Sequence, residues 1–328
     1  MSILGLKAFV LVVDVLHEQG NRHNVSEGSE ILLLGFHHLE RLNSLFFLLL
    51  LLIYCVTICG NLLIIVVVSS SRSLHFPMYF FLTQLSISDI LLTTTIVPNM
   101  LHTLLHEGTS LSLNGCLVQF YLFIAAEASE CLLLTVMSYD RYQAICNPLR
   151  YASVIDLTFC LRAILFFWLG IFSMELMVVM TMKHLDFCGN VIDHFFCDLE
   201  PLLELSCSDT FIMKLETLFL VIFLAICPVT VIIVSYVYII FTILKIPSVT
   251  GRQKTFSTCS AHLTVVSLFY GSLITIYVFP RKQNAKTYLS LFYTVVTPLL
   301  NPIIYSLSNT DVKRALTTLF KITKSHIL

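Results

Sequence analysis

The sequence predicts an all-α membrane protein, in which a bundle of seven membrane-spanning helices is followed by a short amphipathic helix. Of the 328 residues, 57% are hydrophobic and only 12% are charged, and the mean hydropathy is +0.88. A soluble domain normally draws about a quarter of its residues from Asp, Glu, Lys and Arg. One soluble domain cannot bury so much apolar surface, so the predicted solvent of this chain is a lipid bilayer.

Seven long apolar runs provide the predicted spans. Four contain no Asp, Glu, Lys or Arg, and they lie between Arg41 and Arg72, Glu216 and Lys245, Lys254 and Arg281, and Lys286 and Asp311. Three more, 78–100, 117–138 and 163–182, contain only isolated acids. Each run can supply the roughly 20 apolar residues that a helix needs to cross a bilayer. Helices are predicted because backbone amides in lipid must find partners within the segment, and the runs are too long for barrel strands.

The charges of the loops predict the orientation of the chain. The loops after the first, third and fifth spans and the C-terminus hold Arg72, Arg150, Lys245, Arg252, Lys254, Lys313, Arg314, Lys321 and Lys324. The loop after the fourth span instead holds Asp186, Asp193, Asp198, Glu200, Glu204 and Asp209. Basic loops stay in the cytoplasm. We therefore expect a multi-pass plasma-membrane protein with an extracellular N-terminus, although "RKQNAK" at 281–286 opposes the rule.

The expected divisions of the chain follow from these runs. Residues 1–43 form an extracellular N-terminus, 44–308 the seven-helix domain, and 309–328 a cytoplasmic tail. Residues 1–20 are atypical, because "ILGLKAFVLVV" is apolar but too short to span a bilayer. We interpret them as a disordered extension in preference to a signal-like segment. "NVS" at Asn24 is a glycosylation sequon on the predicted outer side.

The tail carries an amphipathic pattern. Its apolar helical face consists of Val312, Ala315, Leu316, Leu319 and Phe320, and its basic face consists of Lys313, Arg314 and Lys321. This pattern predicts a helix that lies on the membrane surface, with Asn309 or Thr310 as its N-cap. A disordered tail is the alternative.

Four of the eleven cysteines, Cys116, Cys188, Cys197 and Cys207, lie on the predicted outer face. The extracellular side is oxidising, so disulfide bonds are expected there. Four cysteines allow three pairings, and the spacing alone leaves the choice open. A zinc site is the rival interpretation, but no Cys-x-x-Cys pair supports it.

Eight motifs in order carry a family resemblance. They are "GN" at Gly60–Asn61, "PMYFFL" at Pro77–Leu82, "LSISD" ending at Asp89, "MSYDRYQAICNPLRY" at Met137–Tyr151, "SY" at Ser235–Tyr236, "KTFSTCSAHL" at Lys254–Leu263, "FYG" at Phe269–Gly271 and "PLLNPIIYSL" at Pro298–Leu307. Together they closely resemble vertebrate olfactory receptors, which are rhodopsin-like G-protein-coupled receptors. The resemblance extends from about residue 24 to about residue 319.

The resemblance implies a receptor and not an enzyme. Such a receptor binds small, volatile, weakly polar molecules within the helix bundle and activates a stimulatory heterotrimeric G protein, which raises cyclic AMP. The implied partners are an odorant, that G protein and membrane lipid, with no nucleic acid. The alternative is a cation transporter or channel that uses the intramembrane acids Asp89, Glu127, Glu130 and Glu175 as its path. Transporters usually show an internal repeat, and the sequence contains none.

The resemblance also implies two disulfides and a switch. The disulfides are Cys116–Cys197 and Cys188–Cys207. Asp140 and Arg141 form the inactive-state clasp, from which Arg141 moves toward Tyr236 and the G protein on activation. An ordinary interfacial ion pair that ends a helix is the alternative. The other implied switch residues are Tyr142, Asn301, Pro302 and Tyr305, and Pro302 is expected to kink its helix.

Asp89 and Glu130 form a second polar group that the resemblance places across two helices, near Asn301. Two adjacent carboxylates cannot both be freely ionised, so we expect them to share a proton or to hold a cation such as sodium. A static polar network that joins the helices is the alternative. No other cofactor is expected.

The ligand pocket is implied only by resemblance, near the outer halves of the third, fifth, sixth and seventh spans. Its candidate residues are Phe123, Ile124, Glu127, Ala128, Leu220, Leu224, Tyr270, Ile274, Tyr277 and Thr294. An apolar cavity with a few hydroxyls and one carboxyl suits weakly polar molecules. We expect Glu127 to be a neutral acid that orients a polar head group. The alternative is that Glu127 pairs with Glu130 or a neighbouring helix.

Overall fold

A computed structural model describes residues 30–36, 43–106, 108–278, 287 and 289–327 of the chain. Within these residues it forms a bundle of seven long helices. They are α1 (Asn43–Ser70), α2 (Pro77–His106), α3 (Leu113–Cys146), α4 (Leu157–Lys183), α5 (Phe211–Leu244), α6 (Val249–Val278) and α7 (Thr297–Ser308), which continues from a π-helical turn at Phe292–Val296. An eighth helix, α8 (Thr310–Ile327), follows α7. The sequence-predicted extension at 1–20 and the sequon at Asn24 lie outside the described residues.

The apolar content of the helices fits a bilayer. Six segments in the described part are long and apolar enough to cross one: α1 to α5 and Leu289–Leu307, which contains most of α7. The apolar stretch of α6, Cys259–Thr275, is shorter. It is shorter because the first turns of α6 carry the polar sequence "GRQKT" at 251–255.

Local sequence signals explain where two of the helices begin and where one ends. The Ser112 side chain accepts a hydrogen bond from the backbone N–H of Gly115 over 3.1 Å and caps α3. Asp156 caps α4 in the same way, through Phe159 N–H at 2.7 Å. These are favourable N-cap residues because their oxygens satisfy backbone donors that the helix leaves unpaired. α3 ends two residues before Pro148, which cannot continue a helix.

α8 has the two faces that the sequence predicts. Its N-cap is Asn309, whose Oδ1 accepts the backbone N–H groups of Asp311 and Val312 at 3.0 and 3.2 Å. Val312 and Ala315 are buried against the bundle, whereas the basic residues Lys313 and Arg314 are exposed.

α3 is the central helix of the bundle. Its residues are buried at intervals from Cys116 to Gln143, along almost its whole length. α4 lies at the periphery and exposes apolar side chains such as Leu165, Phe166 and Leu169. Exposed apolar side chains are stable on this surface because lipid, not water, surrounds it. The functional groups of the molecule therefore cluster around α3.

A small sheet on the loops at one end of the bundle was not predicted. β1 (Ile31–Leu33) pairs antiparallel with β2 (Thr109–Leu111) and parallel with β3 (Val191–Ile192). The backbone then turns at Gly35, whose φ is +62° and whose added Cβ would lie 2.5 Å from Thr103 Cγ2. Only glycine fits this turn, because other residues strain at positive φ and a side chain would collide with Thr103. The sheet ties the segment before α1 to the two loops.

Candidate functional site

The acid and the base at the end of α3 form a clasp. Asp140 is fully buried and Arg141 is 13% exposed, and Arg141 Nη2 lies 2.5 Å from Asp140 Oδ2. Arg141 Nε donates to the same oxygen at 2.9 Å. The guanidinium is thus folded back against its own helix, and Arg141 is always charged. The predicted ion pair is present in the structure.

Asp140 has a further partner that the sequence analysis missed. The Tyr151 hydroxyl donates to Asp140 Oδ1 over 2.7 Å from the short helix Tyr151–Val154, which follows α3. Burial, and then the negative charge of Asp140, raise the pKa of Tyr151 above its ordinary value. Tyr151 therefore remains a donor at every physiological pH. Both carboxylate oxygens of Asp140 are satisfied, one by Arg141 and one by Tyr151.

Tyr236 is held by a residue to which the sequence analysis gave no role. Its hydroxyl oxygen lies 2.7 Å from His262 Nδ1, and His262 Nε2 lies 3.1 Å from the backbone oxygen of Leu134. A carbonyl oxygen only accepts, so Nε2 carries the hydrogen and Nδ1 is the acceptor for the Tyr236 hydroxyl. This chain joins α5, α6 and α3. The available signal was a histidine within the apolar part of α6.

The other switch residues surround this group. Tyr305 is fully buried, and its hydroxyl has no hydrogen-bond partner within the described part of the chain. Arg141 is close enough to act electrostatically on both Tyr236 and Tyr305. Tyr142 packs edge to face on Tyr238 of α5, with ring centroids 5.9 Å apart. The switch residues of α3, α5 and α7 thus converge near Arg141.

The buried polar group at the middle of the bundle joins α2, α3 and α7. Asn301 Nδ2 donates to both oxygens of Asp89, at 2.9 and 3.2 Å, and the carboxyls of Asp89 and Glu130 contact one another. Glu130 Oε1 and Asn301 Oδ1 have no hydrogen-bond partner among the described residues. Pro302 follows Asn301 inside α7, and Gly60 of α1 packs against the Pro302 ring. Two unsatisfied oxygens beside a carboxylate are acceptors that could take a proton or a hard cation.

A hard cation such as sodium fits the chemistry of these residues. Hard cations prefer oxygen ligands, and the group offers carboxylate and amide oxygens. Only two acids meet here, and the described residues contain no cluster of three or more His, Cys, Asp or Glu side chains. A transition-metal centre is therefore not indicated in the described part of the chain.

The candidate pocket residues divide among three packed regions. Phe123 lies in an aromatic cluster near the loop between α4 and α5. There it meets Phe196 of that loop edge to face, with ring centroids 4.8 Å apart, and its centroid lies 6.2 Å from that of the Tyr293 ring. Ile124 packs at the edge of this cluster. Glu127, one turn further along α3, is buried and leaves Oε1 without a partner among the described residues. A buried acid with one free oxygen, one helical turn from Phe123, is what the ligand hypothesis requires.

The other pocket candidates are more scattered than predicted. Ala128, Leu220 and Leu224 pack together against α4. Tyr270 belongs instead to the large cluster near the switch residues, and Ile274 is 39% exposed. Thr294 is buried, and its hydroxyl is satisfied by Ser290 O at 2.8 Å. The side chain of Tyr277 lies outside the described part of the chain.

Two disulfides fix the loop between α4 and α5. Cys116 at the start of α3 is bonded to Cys197, and Cys188 is bonded to Cys207. These are the two pairs that the family resemblance implies. The first bond holds Phe196 beside Phe123, and Gln119 reinforces it by accepting Cys197 N–H at 3.0 Å.

Comparison with known proteins identifies the family. The family model described as "Olfactory receptor" matches residues 50–322. The chain is 43% identical to human olfactory receptor 5AN1, over 91% of this chain and 97% of that protein, and 46% identical to human olfactory receptor 10C1, over 89% and 95%. Its fold matches squid rhodopsin with a TM-score of 0.67 at 16% identity, covering 86% of this chain and 87% of that one. The sequence-predicted fold is thereby confirmed, and the chain belongs to the olfactory receptor family of G-protein-coupled receptors.

Proposed function

We propose that this receptor binds small, volatile, weakly polar odorants among its helices and activates a stimulatory heterotrimeric G protein, which raises cyclic AMP. The observation that carries the proposal is the closed clasp of Asp140 and Arg141 at one end of the bundle. The other end offers an aromatic cluster beside an unpaired acid. A ligand-binding end and a switch end, joined by the central helix α3, are the two parts that a transmembrane receptor needs.

Glu127 is the proposed polar anchor of the ligand. A carboxylate left without a partner in an apolar environment costs several kcal/mol, so the acid is stable there when neutral or when a ligand satisfies it. A neutral acid both donates and accepts, and it can therefore orient an alcohol, an aldehyde or an amine. Phe123, Phe196 and Tyr293 supply the apolar wall for the hydrocarbon part of the odorant.

Activation requires an exchange of hydrogen-bond partners at the switch end. Arg141 leaves Asp140, and Tyr236 leaves His262 when α6 moves away from α3 and α5. The two freed groups then meet, because the phenol can accept from the guanidinium. The exchange moves the cation of Arg141 from its own helix into the space between α3 and α5, where a G protein can contact it.

Asp89 and Glu130 are proposed to hold sodium or a shared proton in the inactive state. Asn301 keeps Asp89 in place, and the free oxygens of Glu130 and Asn301 complete the set of acceptors. Because Asn301–Pro302 belongs to the inner part of α7, a change in occupancy is coupled to the bend of that helix.

The proposed orientation places residues 30–36 and the loop with both disulfides outside the cell. This orientation is supported by the basic residues at the other end of the bundle, which follow the positive-inside rule. It also places the Asn24 sequon in a compartment where glycosylation and disulfide formation occur. The receptor then acts in the plasma membrane, in contact with lipid.

The test is a screen of chemically diverse odorants in cells that express the receptor and a cyclic AMP reporter. At least one alcohol, aldehyde or amine should raise cyclic AMP, and the response should disappear in cells that lack the stimulatory G protein α subunit. Membrane current is recorded in parallel, because a ligand-gated current without cyclic AMP would favour the transport alternative. Surface labelling of an N-terminal tag on intact cells checks the orientation.

A further inference from the structure

A groove of about 460 Å³ lies on the lipid-facing periphery of the bundle, at the beginning of α4. It is lined by Asp156, Thr158, Phe159, Arg162, Ala163 and Phe166. All six residues belong to the first turns of α4 or to its N-cap, so the groove opens toward lipid and not toward the odorant pocket. It contains one acid and one base among apolar walls.

Arg162, the base in this groove, forms no salt bridge with the described residues. Arg162 is exposed, and no acidic side chain lies within 4.0 Å of it in the described part of the chain. It stands in the lipid-facing surface of a spanning helix, where an unpaired cation is costly. A guanidinium in this position reaches for the headgroup layer, and it binds phosphate through several donors in a planar fork.

The depth of Arg162 matches the level of lipid phosphates. The 27 residues of α4 make a helix about 40 Å long, close to the thickness of a bilayer with its headgroups. Arg162 lies five residues after Leu157, the first residue of α4, or about 7.5 Å along the helix axis. That distance places it where the headgroup layer meets the hydrocarbon core.

The acid lies further out. Asp156 is the N-cap of α4, and its Oδ1 accepts Phe159 N–H at 2.7 Å, while its other oxygen makes no hydrogen bond within the described residues. It is exposed and stands about 9 Å nearer to the water than Arg162 along the axis. The groove is therefore positive at depth and negative at its mouth.

From this order of charges we infer that the groove binds an aminophospholipid, either phosphatidylethanolamine or phosphatidylserine. In these lipids the phosphate lies next to the glycerol, and the primary ammonium lies further out. The phosphate binds Arg162, the ammonium binds the free oxygen of Asp156, and an acyl chain runs along Phe159 and Phe166. A lipid without the ammonium leaves Asp156 facing an anion, and a choline headgroup cannot donate hydrogen bonds to it.

Native mass spectrometry of the purified full-length receptor tests this inference without any odorant. The probes are phosphatidylethanolamine, phosphatidylserine, phosphatidylcholine and phosphatidylglycerol with identical acyl chains. The two aminophospholipids should bind about two- to fivefold better than phosphatidylcholine, because choline keeps the positive charge but cannot donate a hydrogen bond to Asp156. Asp156→Asn should remove this preference yet keep the helix cap, because Asn caps as well as Asp.

Two further variants complete the design. Arg162→Gln should weaken every phospholipid about two- to fivefold, whereas Arg162→Lys should retain most binding because it keeps the cation. Lys183→Gln, which removes an exposed base at the opposite end of α4, is the matched control and should change nothing. Equal binding of all four lipids would overturn the inference, as would stronger binding of phosphatidylglycerol or an unchanged preference in Asp156→Asn. Thermal melting of each variant in detergent checks that it is folded.

Discussion

The Tyr236 hydroxyl donates a hydrogen bond to His262 Nδ1 over 2.7 Å, and His262 Nε2–H donates to the backbone oxygen of Leu134 in α3. One imidazole therefore joins three helices at the switch end of the bundle. Movement of α6 relative to α3 and α5 must break at least one of these two bonds. His262 accordingly stabilises the arrangement in which Tyr236 cannot reach Arg141.

His262→Leu should raise the basal activity of the receptor. The substitution removes both hydrogen bonds of the imidazole, to Tyr236 and to the backbone of α3. Each such bond contributes about 1 kcal/mol, so the equilibrium should shift at least roughly fivefold toward the active state. The measurement is cyclic AMP without odorant, normalised to receptor at the cell surface. His75→Leu, at an exposed position outside the bundle, is the control. Basal activity at or below that of the unmodified receptor would contradict the role of His262.

Tyr151→Phe should also raise basal activity, but less than the loss of Asp140 itself. The phenylalanine keeps the ring and removes only the 2.7 Å hydrogen bond to Asp140 Oδ1. The Asp140 carboxylate then has one hydrogen-bond donor fewer to fix its orientation, and its ion pair with Arg141 becomes weaker. Dose–response curves for an agonist should shift to lower concentration by about two- to fivefold. An unchanged curve at equal surface expression would mean that Tyr151 only packs against α3.

Glu127→Leu tests the proposed anchor of the ligand. For agonists with a hydroxyl, aldehyde or amine head group, the potency should fall about ten- to a hundredfold, which corresponds to roughly 1.5–3 kcal/mol. A hydrocarbon agonist of the same shape should lose little. Equal losses for both agonists at matched surface expression would assign Glu127 a structural role and reject it as a ligand contact.

Acidification should destabilise the disulfide-linked loop through His194. Burial lowers the pKa of His194 to about 4, from 6.5 in the unfolded chain. Between these pH values the unfolded state binds more protons than the folded state. The contribution of neutral His194 to the free energy of unfolding is therefore fully present above pH 6.5, and it falls by up to roughly 3 kcal/mol as the pH drops toward 4. Thermal melting of the purified receptor at pH 7 and pH 4.5 measures this loss. The His194→Phe variant should show a smaller pH effect than His75→Gln, which alters an exposed histidine.

The sequence predicted the features that depend on local composition or on a recognised motif. The seven spans follow from long apolar runs with no charged residue or only isolated acids, the faces of α8 follow from its periodicity, and the Asp140–Arg141 pair consists of adjacent residues. The two disulfide pairs came from the family resemblance and not from spacing, which left three pairings open.

Contacts between distant segments were not predictable in the same way. β1 has three residues and no hydrophobic alternation of its own, and it forms only because β2 and β3 lie beside it. The partners of Tyr151 and His262 lie 11 and 26 or more residues away, and only the packing of the helices brings them together. Tyr270 was assigned to the pocket from its place in α6, but its side chain packs toward the switch residues.

The central claim is that Arg141, held by Asp140, is the switch of an odorant-activated receptor. The most direct measurement compares cyclic AMP in cells that express Asp140→Asn, Arg141→Ala or the unmodified receptor at equal surface density, with and without an active odorant. We predict higher basal cyclic AMP in Asp140→Asn, because the freed Arg141 reaches its active position without ligand, and no response in Arg141→Ala. A full odorant response in Arg141→Ala, or an unchanged basal level in Asp140→Asn, would contradict the account.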